Sequence, residues 1–191
     1  MTASVTATAR WRALDREGED TCRLSRADQG WLLVGHARFR DDLGFAELDY
    51  VVRCDDEWQT LSADVAGQHD GREVQIRILR EGGLWWLNDT EQPEVAGAWD
   101  VDLSFTPATN LMPLRRLMVT KDNTQYVTAA WLRYPIAVLR RLDQTYGLTN
   151  RPGVVSYAAQ QTKYETELTV DDSGFVTLYP GLWEGEVTYA G

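Results

Sequence analysis

Long apolar runs are missing from this sequence. No stretch approaches the ~18 apolar residues of a membrane-spanning helix. Residues 1–10 lack the basic start and apolar core of a signal peptide. We therefore expect a cytoplasmic protein that does not insert into a membrane.

Cysteine and histidine are scarce, with two of each. Cys22 and Cys54 are too few for a disulfide framework and fall in predicted strands, so we interpret them as reduced core residues; a single disulfide between them is the alternative. His36 and His69 show no metal-ligand spacing, and we predict neither a metal nor another cofactor. We predict that His36 lies in a strand with its ring nitrogens hydrogen-bonded, and that His69 is exposed to solvent.

Catalytic and nucleotide-binding motifs are also absent. The chain has no Gly-x-Ser-x-Gly elbow, no Gly-x-Gly-x-x-Gly turn and no P-loop.

Basic residues are fewer than acidic ones: the sequence has 29 Asp and Glu against 19 Lys and Arg, for a net charge of -10. A nucleic-acid partner needs the opposite balance and is excluded. Acidity that merely keeps the protein soluble is the simplest explanation.

Period-2 alternation dominates what is present. Residues 46–54, 73–80 and 163–170 alternate apolar and polar side chains, as half-buried strands do. Asp70-Gly71 is typical of a hairpin turn, and turn signals recur every 8–12 residues, which indicates an antiparallel meander. The prediction is a mainly β (α+β) single domain over residues 1–191, with residues 1–9 loosely held.

One segment has helical spacing. Apolar residues at 111, 114, 117 and 118 predict a short helix between about Pro107 and Met118, with Thr106 as its cap. Pro113 would kink or restart it, so two successive turns are the alternative. Residues 136–146 alternate and are predicted as a strand. A large curved antiparallel sheet wrapped around a single helix leaves a concave mouth, a usual place for a ligand.

Carboxylates at same-face strand positions are the most suggestive polar groups. The candidates for ligand binding are Asp100, Asp102, Glu47, Asp49 and Asp64. Such residues could accept hydrogen bonds from sugar hydroxyls, or act as acid and base in glycoside cleavage. The plainest alternative is a solvated outer strand face.

Tryptophan is unusually frequent, with eight residues. An indole can stack on a sugar face or cover a lipid chain, so Trp86 and Trp99 join the candidate ligand-binding residues. Core packing is the simpler use for most of the eight.

The run from Asp100 to Leu117, DVDLSFTPATNLMPLRRL, resembles the signature of the bacterial putative glycolipid-binding family, long described as a domain of unknown function. Supporting matches lie at 50–58, 130–135, 144–146 and 174–183, so the likeness covers most of residues 10–185. One departure is residues 88–90, Asn-Asp-Thr, where an Asp-Gly turn is expected.

The resemblance implies a many-stranded sheet around one helix, a homodimer, a distant likeness to lipoprotein-carrier folds and an acidic pocket. Thr106, Pro107, Asn110, Arg115 and Arg116 belong to the motif, and we predict architectural roles for them, with the arginines pairing to the motif aspartates. Three functions remain open: non-catalytic binding of a glycolipid, an enzyme of glycolipid metabolism, and a dimeric regulatory protein without a small ligand.

Overall fold

The computed structural model describes residues 4–120 and 123–191. Within them the chain forms fifteen strands and one α-helix, α1, at Leu111–Thr120. The strands are β1 Ser4–Ala13, β2 Gly18–Arg26, β3 Trp31–Asp41, β4 Gly44–Cys54, β5 Thr60–His69, β6 Arg72–Glu81, β7 Leu84–Leu87, β8 Thr90–Glu91, β9 Asp100–Leu103, β10 Thr124–Leu132, β11 Leu139–Leu148, β12 Val154–Ala159, β13 Tyr164–Val170, β14 Val176–Tyr179 and β15 Trp183–Tyr189. Short 3₁₀ helices lie at Pro93–Val95 and Ala108–Asn110.

All fifteen strands belong to one sheet in the order β8-β7-β6-β5-β4-β3-β2-β1-β15-β14-β13-β12-β11-β10-β9. Neighbours are antiparallel except β9 and β10, which run parallel. The sheet curls far enough for edge strand β9 to meet β5: the Thr60 hydroxyl accepts from the Val101 amide at 3.0 Å, and the Thr60 amide donates to the Trp99 carbonyl at 3.0 Å. The predicted mainly β fold around a single helix is confirmed.

Alternation in the sequence places side chains on two faces of this sheet. In β4, Ala46, Leu48, Tyr50 and Val52 are buried on the inner face. The hairpin between β5 and β6 turns at Asp70-Gly71, where both residues have positive φ. Residues 4–9, expected to be loosely held, lie in β1 and pair with β2 and β15; residues 1–3 lie outside the described residues.

The helical segment is one α-helix preceded by a 3₁₀ turn, and Pro113 does not interrupt the helix. A 3₁₀ turn at Ala108–Asn110 leads directly into α1, and Pro113 is the third residue of α1. Amides of the first helical turn have no intrahelical acceptor, so proline costs no hydrogen bond there. No helix in the described parts of the chain is long and apolar enough to cross a membrane.

The core lies between α1 and the inner face of the sheet. Leu111, Met112, Leu114 and Leu117 of α1 are fully buried there. Cys22 and Cys54 are free thiols, both buried. The strand expected at 136–146 begins three residues later, at Leu139, because residues 133–138 form a loop closed by their own backbone hydrogen bonds.

Candidate functional site

A cavity of about 200 Å³ lies under the start of the helical segment, against the inner face of the sheet. Its wall includes Asp102, Asn110, Tyr157, Tyr164, Tyr179 and Trp183. We call it the inner cavity. Its lining has a polar part and an aromatic part, the combination that fixes and covers an amphiphilic ligand.

Asp102 supplies the polar side. It is half-buried in β9, and its Oδ2 accepts a hydrogen bond from the Gln144 side-chain amide at 3.0 Å. The same amide donates to the Tyr157 hydroxyl at 3.0 Å. Burial raises the pKa of Asp102 to about 6, and the Gln144 hydrogen bond works against that rise. At neutral pH this carboxylate is therefore an acceptor facing the cavity.

Tyrosine rings form the aromatic side. The Tyr157 and Tyr179 centroids are 5.6 Å apart at 77°, and Tyr164 lies 5.7 Å from Tyr179. Burial raises the pKa of Tyr157 to about 12 and raises that of Tyr179 as well. The Tyr157 and Tyr179 phenols are therefore neutral and can donate hydrogen bonds at physiological pH.

A second acidic group, Asp20, lies on the inner face beside the same helical segment. It is 1% exposed, and its Oδ2 accepts from the hydroxyls of Thr106 and Tyr50, the latter at 2.9 Å. Its Oδ1 has no hydrogen-bond partner among the described residues. Burial raises the pKa of Asp20 to about 7. The Tyr50 ring reaches Asp20 across Gly35, where an added Cβ would lie 2.0 Å from the ring.

Asp100, two residues before Asp102, is fully engaged. Both of its oxygens accept from the Arg116 guanidinium, one at 2.8 Å, and Arg116 also donates to the Trp58 carbonyl at 2.6 Å. Burial raises the pKa of Asp100 and Arg116 opposes the rise. The forked contact matches an ionised carboxylate and joins β9 to α1. Asp100 is thus a structural partner of the helix, and Asp102 alone of the two faces the cavity.

The other predicted carboxylates lie on the outer face. Glu47 and Asp49 flank His36, with 3.3 Å and 2.8 Å between the nearest nitrogen and oxygen atoms. Asp64 pairs with Arg53 at 2.8 Å. These three candidates therefore do not line the inner cavity, and the solvated outer face, the alternative for them, is where they lie, because their strand parity is opposite to that of the core-facing residues.

Two predicted tryptophans also lie away from the cavity. Trp86 is half-buried on the outer face, beside Leu79 and Asp89. Trp99 is 48% exposed, with the Arg116 guanidinium 5.6 Å from its ring. Neither lines the inner cavity: the buried side of β7 is taken by Trp85, and Trp99 lies directly before β9.

The motif residues have identifiable contacts. The Thr106 hydroxyl accepts from the Ala108 amide, the first of the 3₁₀ turn, at 3.0 Å, although the N-cap position itself is Pro107. Pro107 precedes the 3₁₀ turn with helical backbone angles. The Asn110 side chain donates to the Tyr146 hydroxyl at 2.8 Å. Arg115 donates to the Asp172 carbonyl at 3.2 Å, and its guanidinium lies 5.0 Å from the Trp58 ring. Only Arg116 pairs with a motif aspartate.

Sequence reasoning missed Asp20, Gln144 and His69. In β2, Asp20 lies on the same buried face as Cys22 and Leu24, and in β11, Gln144 lies on the same buried face as Leu142 and Tyr146. A polar residue among apolar residues on one strand face is the signal that could have identified both. His69, expected to be exposed, is buried between Asp41 at 3.0 Å and the Tyr134 hydroxyl at 2.9 Å. No group of three or more His, Cys, Asp or Glu side chains among the described residues is placed to hold a metal ion.

The fold is of a β-barrel-like class. It is similar to a β-barrel-like protein of domain of unknown function DUF1849 from Brucella abortus, with a TM-score of 0.61, 12% identity and coverage of 100% of both chains. The chain belongs to the family described as putative glycolipid-binding, whose model matches residues 8–185.

A second solved structure shares the fold. The crystal structure of a DUF1089 family protein from Pseudomonas aeruginosa aligns with a TM-score of 0.74 and 24% identity, covering 87% of this chain and 91% of that one. At this identity the likeness establishes the fold. No curated protein matched the chain.

Proposed function

We propose that the protein holds a sugar-bearing amphiphile in the inner cavity without cleaving it. The observation that carries the proposal is a single carboxylate, Asp102, that lines the same cavity as the rings of Tyr157, Tyr164 and Tyr179. A carboxylate accepts hydrogen bonds from sugar hydroxyls, and aromatic rings cover the apolar face of a sugar. The family description is consistent with such a ligand.

The size of the cavity supports a headgroup site. At about 200 Å³ it is smaller than the roughly 300–1,000 Å³ typical of sites for drug-sized ligands. It therefore suits one end of an amphiphile. Leu142, Leu182 and Trp183 lie along its wall, and we assign the apolar part of the ligand to these side chains.

The carboxylate arrangement favours binding over hydrolysis. Glycoside cleavage commonly uses two carboxyl groups that flank the scissile bond. Asp102 is the one carboxylate lining the inner cavity in the described part of the chain. Asp100 is held by Arg116, and Asp20 is sealed beneath Thr106.

The test is Asp102→Asn, with Asp64→Asn as a control that removes the same charge from the outer face. Both variants and the wild type are titrated with dodecyl maltoside below its micelle concentration and assayed for release of free sugar. We expect about tenfold or greater weakening for Asp102→Asn and none for Asp64→Asn, because a charged acceptor is lost only from the cavity. Equal affinity in all three proteins would refute the site, and sugar release by the wild type would favour an enzyme.

Assembly and compartment complete the proposal. We propose a homodimer in the cytoplasm. Exposed apolar side chains such as Val34 and Leu79 on the outer face offer a surface for the contact, and the two free buried thiols suit a reducing compartment. Sedimentation velocity tests the assembly: a single species at the mass of one chain, 21.7 kDa, would rule out the dimer.

A further inference from the structure

A larger cavity, of about 560 Å³, opens at the end of the sheet where β1 turns into β2. We call it the mouth cavity. Its charged lining is Arg12, Arg16, Arg38, Glu17 and Glu19, so three cations face two anions. This local excess of positive charge contrasts with the net charge of -10 of the whole chain.

All but one of these charged groups are paired. Arg12 pairs with Glu184, Arg38 with Glu19 at 3.4 Å, and Glu17 with Arg40 at 3.0 Å. Arg16 lies among them and forms no ion pair with any described residue. Arg16 is therefore the arginine of the mouth cavity that has no carboxylate partner among the described residues.

Aromatic rings, and no anion, hold the Arg16 guanidinium. Its central carbon lies 4.7 Å from the Phe39 ring centroid and 5.7 Å from that of Trp183. Its Nε is buried and has no hydrogen-bond partner within the described residues. Cation–π contact uses the face of a guanidinium, whereas its donors point outward from the edge in a fork that matches phosphate and carboxylate. The two Nη groups also have no partner within the described residues, but they are not buried, so a bound oxyanion can accept hydrogen bonds from them.

Trp183 connects this arginine to the inner cavity. The tryptophan lines the inner cavity, and Arg16 lies over its ring while lining the mouth cavity. At the same boundary the Leu14 amide donates to the Leu182 carbonyl at 2.8 Å. Trp183 therefore lies between the two sites: it lines the cavity that holds Asp102, and Arg16 of the mouth cavity covers its ring.

We propose that the mouth cavity is an anion subsite, in which Arg16 binds a phosphate or carboxylate group carried by the amphiphile. The link to an amphiphile rests on the proposed function, whereas the anion subsite rests on Arg16 alone. The ligand class is thereby narrowed to acidic sugar lipids, whose oxyanion contacts the guanidinium edge while the sugar hydroxyls contact Asp102.

The experiment compares three probes by isothermal titration: dodecyl phosphate, dodecyl maltoside and inorganic phosphate. The proteins are the wild type, Arg16→Gln, Arg16→Lys and Arg23→Gln. Arg23 is exposed on the outer face, so Arg23→Gln is a matched charge control. We expect Arg16→Gln to weaken dodecyl phosphate about tenfold or more and dodecyl maltoside less than about twofold, because charge-assisted hydrogen bonds are lost. Arg16→Lys restores part of the loss, and Arg23→Gln changes neither affinity.

The outcomes separate this inference from the proposed function. If both amphiphiles bind and Arg16→Gln, still folded by its melting temperature, binds dodecyl phosphate as the wild type does, the anion subsite is wrong and the sugar site stands. If only dodecyl phosphate binds, and does so through Arg16, the anion subsite stands and the sugar proposal fails. Equal affinity for inorganic phosphate would assign the subsite to a free oxyanion and overturn its link to a lipid headgroup. Failure of the wild type to bind dodecyl phosphate would overturn the inference.

Discussion

The two faces of the sheet treat the same carboxyl group in opposite ways. On the outer face, Glu47, Asp49 and Asp64 are exposed and paired with basic side chains. On the inner face, burial raises the pKa of Asp20 to about 7 and that of Asp102 to about 6. One step along a strand moves a side chain from one face to the other. The pKa and the contacts of a carboxyl group in this fold therefore depend on which face of the sheet its strand position gives it.

Two carboxyl groups on the inner face, those of Asp100 and Asp102, have different surroundings. Asp100 and Asp102 have the same parity in one short strand, yet Asp100 is neutralised by Arg116 whereas Asp102 faces the inner cavity. An isolated buried charge would be strongly unfavourable, so the Arg116 pair allows Asp100 to exist at 1% exposure. The pair anchors α1, and Asn110 of the 3₁₀ turn directly before α1 lines the same cavity as Asp102.

The largest expected effect comes from breaking that pair. Arg116→Ala leaves the Asp100 carboxylate buried without its partner and frees the Trp58 carbonyl. Loss of one member of a buried pair costs about 3–5 kcal/mol of unfolding free energy. Urea denaturation followed by tryptophan fluorescence measures it.

Arg53→Ala is the matched control for the outer face, because Arg53 pairs with Asp64 at 2.8 Å but both side chains are about half exposed. An exposed pair is worth about 0–1 kcal/mol. Equal losses for Arg116→Ala and Arg53→Ala would remove the distinction between the faces.

The second-largest expected effect is on the pH dependence of the unfolding free energy, and it distinguishes a carboxyl group on the inner face from those on the outer face. The folded protein holds a proton on Asp20 up to about pH 7, whereas the unfolded chain releases it near 3.8. Between these values unfolding releases a proton, so stability falls as the pH rises and the penalty is complete above pH 7. From pH 5 to pH 8 this group alone costs the wild type about 2–3 kcal/mol.

Asp20→Asn should lack that contribution. Between pH 5 and pH 8, we expect the unfolding free energy of this variant to fall by about 2–3 kcal/mol less than that of the wild type. Urea titrations at each pH measure both. Asp49→Asn on the outer face is the control and should keep the wild-type slope. An unchanged slope in Asp20→Asn would show that Asp20 is already ionised at pH 5.

Much of the fold was predictable from local patterns. Alternation at residues 46–54 and 163–170 corresponds to β4 and β13, and the spacing at 111–118 corresponds to α1. Both patterns depend on near neighbours, which a sequence displays directly. Residues 136–138 were misassigned because a loop can carry the same alternation by chance.

The site was less predictable, because alternation reveals two faces without saying what each one meets. Glu47 and Asp49 alternate as regularly as Asp100 and Asp102, and only the path of the whole sheet decides which pair faces α1. The contact between Asp20 and Thr106 joins residues 86 positions apart. Such contacts depend on the curl of the sheet, which period 2 does not encode.

The smallest expected effect is on the outer face. Glu47 and Asp49 flank His36, and all three side chains are at least 43% exposed. Solvent screens such pairs, so Glu47→Gln combined with Asp49→Asn should change the unfolding free energy by less than about 1 kcal/mol. Affinity for dodecyl maltoside should also stay the same, because these side chains point away from the inner cavity. Isothermal titration and urea denaturation of the double variant measure both. A tenfold loss of affinity without loss of stability would place a ligand contact on the outer face, and the division of labour between the two faces would then be wrong.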